Sequence, residues 1–184
     1  MPKVSTVPPR RSPSHVMHIH ASMSASHDLV MCTMSSPVGE LRLVASPTGL
    51  RSVLWENEQA DLDDVVRADS VILDSAVREL TEYFAGERRR FQTPLDPVGT
   101  PFQQSVWRVL STIPFGHTMS YGDQARALGD ARKARAVGAA NGRNPIPIIV
   151  PCHRVIGSNG SLTGFAAGVG IKKILLDFER AQMA

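Results

Sequence analysis

The segment 144–154 constrains the fold of this chain more than any other feature of its sequence. It reads Asn-Pro-Ile-Pro-Ile-Ile-Val-Pro-Cys-His-Arg, and its three prolines fix φ and push the residues before them towards extended geometry. The pattern predicts a stiff, apolar, non-helical rod that holds Cys152 in one place. His153 follows directly, and a neighbouring base is the commonest means of favouring a thiolate over a thiol. The segment therefore predicts a cysteine nucleophile.

A carboxylate in the last predicted helix is a candidate third member of this site. Glu179 closes the run Leu-Leu-Asp-Phe-Glu and would orient His153, as in a Cys–His–Glu arrangement. Adjacent side chains of an extended segment point to opposite faces, so we expect His153 to reach Cys152 through a bend or a bridging water. Two plainer interpretations stay open. An isolated cysteine is usually a small buried hydrophobe, and a glutamate at a helix end is usually solvated.

Turn-forming residues divide the chain into parts. We predict a disordered tail over 1–27, an N-terminal α/β domain with its linker over 28–97, and a C-terminal domain over 98–184. The fold class is α+β. In the N-terminal part, helical spacing predicts a helix over 71–84, and short apolar segments separated by Pro and Gly predict an antiparallel meander over 29–34, 40–45 and 50–55.

Start and stop signals predict a helix-turn-helix in the C-terminal part. Residues 100–103 form a capping box with proline at the first helical position. A short helix is predicted over 120–129, and Asp130 is predicted to cap a third helix over 130–140. Two short helices joined by a tight turn that contains glycine are typical of the motif.

The third predicted helix is small and basic. Apart from Arg132, Lys133 and Arg135 it consists almost entirely of Ala and Gly, so its backbone would approach a nucleic acid groove closely. Residues 121–184 carry nine Lys and Arg against four Asp and Glu, whereas 31–120 carry eight against twelve. This asymmetry favours an anionic partner for the C-terminal part. A solvated basic face, with a small-residue helix packed on another helix, is the plainer interpretation.

The chain has two cysteines, so we expect free thiols in a reducing, cytoplasmic location rather than a disulfide framework. A metal site is conceivable in the tail, because Cys32 follows the four histidines His15, His18, His20 and His27. Such tracts are more often incidental, and we predict no metal and no cofactor. No apolar run approaches the ~20 residues that cross a bilayer, and we expect no membrane partner.

Several motifs together resemble the O6-alkylguanine-DNA alkyltransferase family. The most specific is the block Pro-Cys-His-Arg-Val-Ile at 151–156, preceded by Asn144-Pro145 and followed by the Gly-Phe-Ala-Ala-Gly loop at 164–168. Ser-Tyr-Gly at 120–122, Ala-Arg-Ala-Val-Gly at 134–138 and the position of Glu179 also match. The resemblance is strong over roughly 100–180 and looser from Leu29 onwards.

The resemblance implies an RNase H-like N-terminal unit and a winged-helix-like C-terminal domain. It also implies repair of O6-alkylguanine, and of O4-alkylthymine, in double-stranded DNA by a monomer whose Cys152 irreversibly accepts the alkyl group in one turnover. The helix-turn-helix would enter the minor groove and flip the damaged base. The implied site residues form three groups. Asn144, His153 and Glu179 surround Cys152, and Tyr121, Ala134 and Arg135 contact the DNA. Val155, Phe165 and Ala166 surround the guanine.

The pocket loop departs from the family pattern. The family usually has Gly-Tyr-Gly/Ser-Gly-Gly, whereas this chain has Phe165, Ala166 and Ala167 between its glycines. Loss of a hydroxyl and gain of two methyl groups are expected to stiffen the loop and narrow the pocket. Two other functions stay open: a non-catalytic protein that binds alkyl damage, which the thiol of Cys152 argues against, and a cysteine hydrolase, which leaves Tyr121 and Arg135 unexplained.

Overall fold

The computed structural model describes residues 28–56, 58 and 65–183. The tail predicted for 1–27, with its histidines, lies outside these residues. Within the described ranges, no helix combines the length and the apolar character that crossing a membrane requires.

The N-terminal sheet contains the predicted meander. Strands β1 (Val30–Ser36), β2 (Gly39–Ala45) and β3 (Leu50–Trp55) pair antiparallel in sequence order, with Val30 opposite Ala45 and Leu41 opposite Trp55. A strand that was not predicted, β4 (Val66–Arg67), pairs parallel with β1 and completes the order β3-β2-β1-β4. The sheet is therefore mixed rather than purely antiparallel. Two residues are too few for any periodicity to show.

One helix covers the sheet and holds the linker. Helix α1 (Val71–Phe84) begins after Ser70, whose side chain accepts a hydrogen bond from the Ile72 amide, as an N-cap residue does. Its buried Glu79 accepts bonds from the backbone amides of Gln92 and Thr93 and from the Thr93 hydroxyl. This carboxylate thus fixes the start of the segment that joins the two predicted domains.

The helical part contains α2 (Pro101–Leu110), α3 (Tyr121–Ala127) and α4 (Ala134–Asn141). The predicted capping box is present at Thr100, before α2. Trp107 donates its indole N–H to the carbonyl of Ala140 at 2.9 Å, which ties α2 to α4. Buried Gln124 and Asn141 exchange side-chain bonds of 3.2 and 2.7 Å, which tie α3 to α4. A helix-turn-helix pair is the result, as predicted.

The third predicted helix is interrupted at its start. Asp130 caps a 3₁₀ turn, Ala131–Lys133, by accepting from the Arg132 amide, and the α-helix begins only at Ala134. The cap holds the chain in a tighter turn than an α-helix allows, which sequence signals for an N-cap do not distinguish.

The predicted rod at 144–154 is wrong in shape. Instead of running straight, the chain makes a tight turn in which the Val150 amide bonds the Ile146 carbonyl at 2.9 Å and Ile148 takes a left-handed φ of 72°. Proline restricts its own φ and its predecessor, but it leaves the residues after Pro147 free to reverse direction. A 3₁₀ turn, Cys152–Arg154, follows.

The remaining elements close the C-terminal part. Strands β5 (Met119–Ser120) and β6 (Val155–Ile156) pair parallel, and α5 (Val169–Ala181) ends the described chain. The winged-helix arrangement stays a prediction, as do the domain bounds 28–97 and 98–184. A single hydrophobic cluster contains residues of both predicted domains, among them Leu43, Tyr83, Val137 and Leu175.

Candidate active site

A small cavity of about 140 Å³ contains the thiol of Cys152 in its wall. The predicted residues Asn144, Phe165 and Ala166 line it as well, which brings together part of the predicted site. The other lining residues come from β3 and the residue Glu58 beyond it, and from the segment between the end of α4 and the cysteine: Val53, Leu54, Trp55, Glu58, Asn141, Gly142, Arg143, Pro145 and Pro147.

Asn144 shapes the turn that presents the cysteine. Its side-chain oxygen accepts from the Ile146 amide at 3.1 Å, and its amide nitrogen donates to the Val150 carbonyl at 2.7 Å. The side chain therefore bridges the two ends of the turn across the left-handed Ile148. A backbone in this region is strained for a β-branched residue, and it persists only where surrounding contacts hold it.

Behind the cysteine, one buried carboxylate collects bonds from several elements. Glu179 accepts from His153 Nε2 at 2.8 Å, from the Tyr83 hydroxyl at 2.8 Å and from the Gly116 amide at 2.9 Å. Arg154 adds a two-pronged contact through Nε and Nη2, each at 2.9 Å. Glu179 and His153 are both 0% exposed, so the expectation of a solvated helix-end glutamate does not apply.

The surroundings of Glu179 and His153 determine which of the two side chains is charged. Burial acts to raise the pKa of Glu179, but hydrogen bonds from His153 and Arg154 outweigh it and lower that pKa to about 2. Burial lowers the pKa of His153, and the bond to Glu179 opposes this only in part. The pair therefore consists of an ionised carboxylate and a neutral imidazole. Since Nε2 donates to Glu179, Nδ1 keeps a free lone pair, and it has no partner among the described residues.

The thiol itself is not ionised in this arrangement. Burial raises the pKa of Cys152 to about 11, although a hydrogen bond from Asn144 and the positive charge of Lys172 act in the opposite direction. The expectation of a thiol pKa below its ordinary value is therefore wrong for this structure. Desolvation of a thiolate at a 7% exposed position is a larger effect than a neutral imidazole can offset.

A buried lysine stabilises the segment on the other side of the cysteine. Lys172 is 0% exposed, and its Nζ donates to the carbonyls of Val155 at 2.6 Å and Thr163 at 2.7 Å. The Thr163 carbonyl also accepts from the Tyr121 hydroxyl at 2.9 Å, and Nζ lies 5.7 Å from the centre of the Tyr121 ring. The Thr163 carbonyl, just before the pocket loop, thus accepts hydrogen bonds from both α3 and α5.

Comparison with known proteins agrees with both halves of the chain. The sequence model described as the DNA binding domain of 6-O-methylguanine DNA methyltransferase matches residues 101–181, and that of its ribonuclease-like domain matches 29–97. The chain belongs to this methyltransferase family. The second match agrees with the RNase H-like unit expected for the N-terminal part.

Individual family members resemble the chain over most of its length. It is 46% identical to the methylated-DNA--protein-cysteine methyltransferase of Methanosarcina acetivorans, over 78% of this chain and 94% of that protein. The Bacillus subtilis constitutive methyltransferase is 43% identical over 80% and 93%. The crystal structure of the Mycobacterium tuberculosis O6-methylguanine methyltransferase superposes with a TM-score of 0.78 at 44% identity, covering 84% and 94%.

Four other residues expected for a methyltransferase of this family are not part of the cavity wall. Tyr121 is half-buried and bonded to the pocket loop, Ala134 is half-buried at the start of α4, and Arg135 is exposed on that helix. Val155 is buried in β6, beneath Lys172. None of these four lines the cavity in the described structure.

Three further methyltransferase site residues were not singled out from the sequence. Arg154 and Tyr83 bond Glu179, and Lys172 lies beside the thiol. A signal for Lys172 was available: it shares one helical face with Leu175 and Glu179, at spacings of three and seven residues. A lysine on an otherwise apolar face indicates a buried cation with specific partners. Tyr83 gives no comparable signal, since its hydroxyl partner is distant in sequence.

The described residues contain no group of three or more His, Cys, Asp and Glu side chains arranged to hold a metal ion. The conceivable tail site rests on histidines outside those residues.

Proposed function

We propose that this protein repairs alkylated DNA by moving the alkyl group from O6 of guanine, or O4 of thymine, onto Sγ of Cys152. The observation that carries the proposal is a cysteine in a small cavity, next in sequence to a neutral histidine oriented by an ionised carboxylate. Family membership supports the same reaction, because the relatives are named methylated-DNA--protein-cysteine methyltransferases. A single-use thiol must stay reduced, which favours a cytoplasmic location.

The chemistry is one substitution at carbon. The Cys152 thiol loses its proton, Sγ attacks the alkyl carbon, and the bond from that carbon to O6 breaks as the carbon–sulfur bond forms. The dealkylated guanine, which stays attached to the DNA strand, takes up a proton, so the overall reaction converts a thiol and an alkylguanine into a thioether and guanine. A thioether is a poor leaving group, and the protein is therefore consumed after one transfer.

His153 is the base in this proposal. Its neutral ring has Nδ1 available, whereas Glu179 fixes the ring through Nε2. A water that bridges Nδ1 and the thiol satisfies a buried atom that otherwise has no partner, and it carries the proton from sulfur to nitrogen. Glu179 stabilises the imidazolium that results without becoming protonated itself. Arg154 keeps that carboxylate ionised, although its own positive charge disfavours the imidazolium.

DNA approaches through the helix-turn-helix. The exposed face of α4 carries Arg135 among small residues, which suits close contact with the minor groove. A base must leave the helical stack before the buried thiol can reach it, and we assign Arg135 to the gap that it leaves. Tyr121 adjoins the pocket loop, where its hydroxyl would meet the displaced phosphate. A crystal structure of Mycobacterium tuberculosis OGT in complex with DNA, with a TM-score of 0.77, supports DNA as the partner.

The test is the intact mass of the protein after incubation with a duplex containing O6-methylguanine. We expect a gain of one methyl group per molecule, located on the peptide that contains Cys152. Cys152→Ala should show no gain, and Cys32→Ala, which removes the other thiol, should behave as the wild type. Repair of many duplexes by each protein molecule would contradict the single-use reaction, and an unmodified protein with bound duplex would favour a non-catalytic damage binder.

A further inference from the structure

We propose that Trp55, a residue of the N-terminal sheet, determines the size of the alkyl group that the pocket accepts. This inference rests on the alkyl-transfer function proposed above and assigns its specificity to the domain that does not carry the thiol. Trp55 lies in the wall of the same cavity as Cys152.

Strand β3 is a fixed wall of that cavity. Val53, Leu54 and Trp55 line it, and the Val53 amide donates to the Pro145 carbonyl at 2.9 Å. That carbonyl belongs to the turn leading to Cys152. A backbone hydrogen bond thus sets the distance between the sheet and the turn that presents the nucleophile.

Trp55 is held rigidly within this wall. It is 4% exposed, and its indole N–H donates to the Val38 carbonyl at 3.1 Å. Its backbone amide donates to the Glu58 carboxylate at 2.9 Å, and its carbonyl accepts from Arg42 at 3.2 Å. The ring therefore cannot retreat to admit a larger substrate.

The pocket loop forms a second wall of the cavity and packs against Trp55. Phe165, in the pocket loop, contacts Trp55 edge to face, with ring centres 5.8 Å apart and planes at 77°. Gly164 and Gly168 flank the loop tip with positive φ values of 57° and 92°, which other residues rarely adopt. The contact between the two rings sets how closely the loop tip approaches strand β3.

The cavity has little spare room. Its volume of about 140 Å³ lies below the roughly 300–1,000 Å³ of ordinary small-molecule sites. A methyl group adds little to a bound guanine, whereas a benzyl group requires Phe165 to move away from Trp55. Loss of an aromatic pair of this kind corresponds to roughly a two- to tenfold penalty. The pair therefore selects against bulky alkyl groups.

The experiment measures the rates at which Cys152 reacts with the free bases O6-methylguanine and O6-benzylguanine. Trp55→Leu and Phe165→Leu should each raise the benzyl-to-methyl rate ratio several-fold, and the double variant should exceed the larger single effect only slightly, because both changes remove the same contact. Trp55→Phe retains an aromatic wall and should give a smaller rise. Leu80→Ala, in the core of α1 and away from the cavity, controls for destabilisation and should leave the ratio unchanged.

Each outcome separates this inference from the proposed function. If Trp55→Leu or Phe165→Leu transfers methyl groups to Cys152 with the wild-type ratio, the inference is overturned and the repair function stands. Additive effects in the double variant would also overturn it, since they would show that the rings act separately. If Trp55→Leu does not fold, Phe165→Leu and Trp55→Phe decide the same question. Absence of methyl transfer in the wild type would instead refute the function.

Discussion

Cys152 combines a nucleophilic role with an environment that disfavours its charge. With a thiol pKa of about 11, almost none of the DNA-free protein is in the thiolate form at neutral pH. In the proposed reaction the thiol is therefore activated only when His153 takes its proton, rather than stored as an anion. A protected thiol suits a protein that is used once, because adventitious electrophiles would otherwise consume it.

The protonated state of Cys152 leads to a measurable pH dependence. In the Cys32→Ala background, the rate of reaction with iodoacetamide should rise by about tenfold per pH unit between about pH 7 and about pH 9, because the thiolate fraction rises in that proportion below the pKa. Lys172→Met removes a nearby positive charge and should slow the reaction further. Mass spectrometry of the modified peptide gives the rate. A constant rate over this range would show that the thiol is already ionised.

Glu179 links pH to stability. Its pKa in the folded protein is lowered to about 2, below the ordinary value near 4.5, so its ionisation stabilises the fold fully above the unfolded-state pKa. That contribution, on the order of 3 kcal/mol, is lost as the pH falls from about 4.5 towards about 2. Urea unfolding of the wild type should therefore show stability falling through this window.

Glu179→Gln provides the comparison for that measurement. Removing one partner of a buried ion pair costs about 3–5 kcal/mol, so the variant should be less stable at neutral pH. Its stability should also fall less steeply over the acidic window, since the other carboxylates titrate equally in both proteins. Parallel stability curves for the two proteins would rule out Glu179 as the source of the acid sensitivity.

At the scale of elements, the DNA contact that we propose lies on α4, apart from the cavity that contains Cys152. The exposed Arg135 of α4 lies outside the cavity, so Arg135→Ala should slow repair of methylated duplex by roughly tenfold, which corresponds to about 1.4 kcal/mol of the cost of base extrusion. The rate with free O6-methylguanine should not change, because a free base needs no extrusion. Lys173→Ala removes a similarly exposed cation from α5 and serves as the charge control. Equal losses on both substrates would exclude a role in extrusion.

Local signals predicted elements well where one residue determines them. The capping box at Thr100 and the N-cap at Ser120 start helices as expected, because a side chain bonds a backbone amide only a few residues away. Prediction failed where several contacts together decide the geometry. The chain reverses at Ile148, where the Asn144 side chain hydrogen-bonds to both ends of the turn. Residue propensities do not predict a positive φ for an isoleucine.

The same limit applies to the site. The sequence pattern identified Cys152, His153 and Glu179, which are close together in the fold, but it gave the wrong direction for the thiol pKa. Burial is a property of the assembled molecule, and the neighbouring residues along the chain do not reveal it. Trp55 was not predicted as a site residue for a related reason, because it lies in a different predicted domain from Cys152.

At the scale of the whole molecule, the site depends on both halves. Tyr83 of α1 bonds Glu179, and β3 bonds the turn before Cys152. A fragment containing only residues 98–184 should therefore have weaker helical circular dichroism per residue than the full chain and should transfer methyl groups much more slowly. Addition of a fragment containing 28–97 should restore part of the activity. Full activity of the C-terminal fragment alone would show that the sheet is dispensable.

Glu179 and Cys152 differ in how many other parts of the fold their side chains connect. The carboxylate joins α1, α5 and the turns at Gly116 and His153, so any substitution there changes reactivity and stability together. The thiol is small, and Asn144 holds the turn that presents it through the Val150 carbonyl and the Ile146 amide rather than through the sulfur. Over evolutionary time a single codon change at Cys152 would abolish the chemistry and leave the DNA surface intact, so descendants of such a protein would lose their reaction long before they lost their shape.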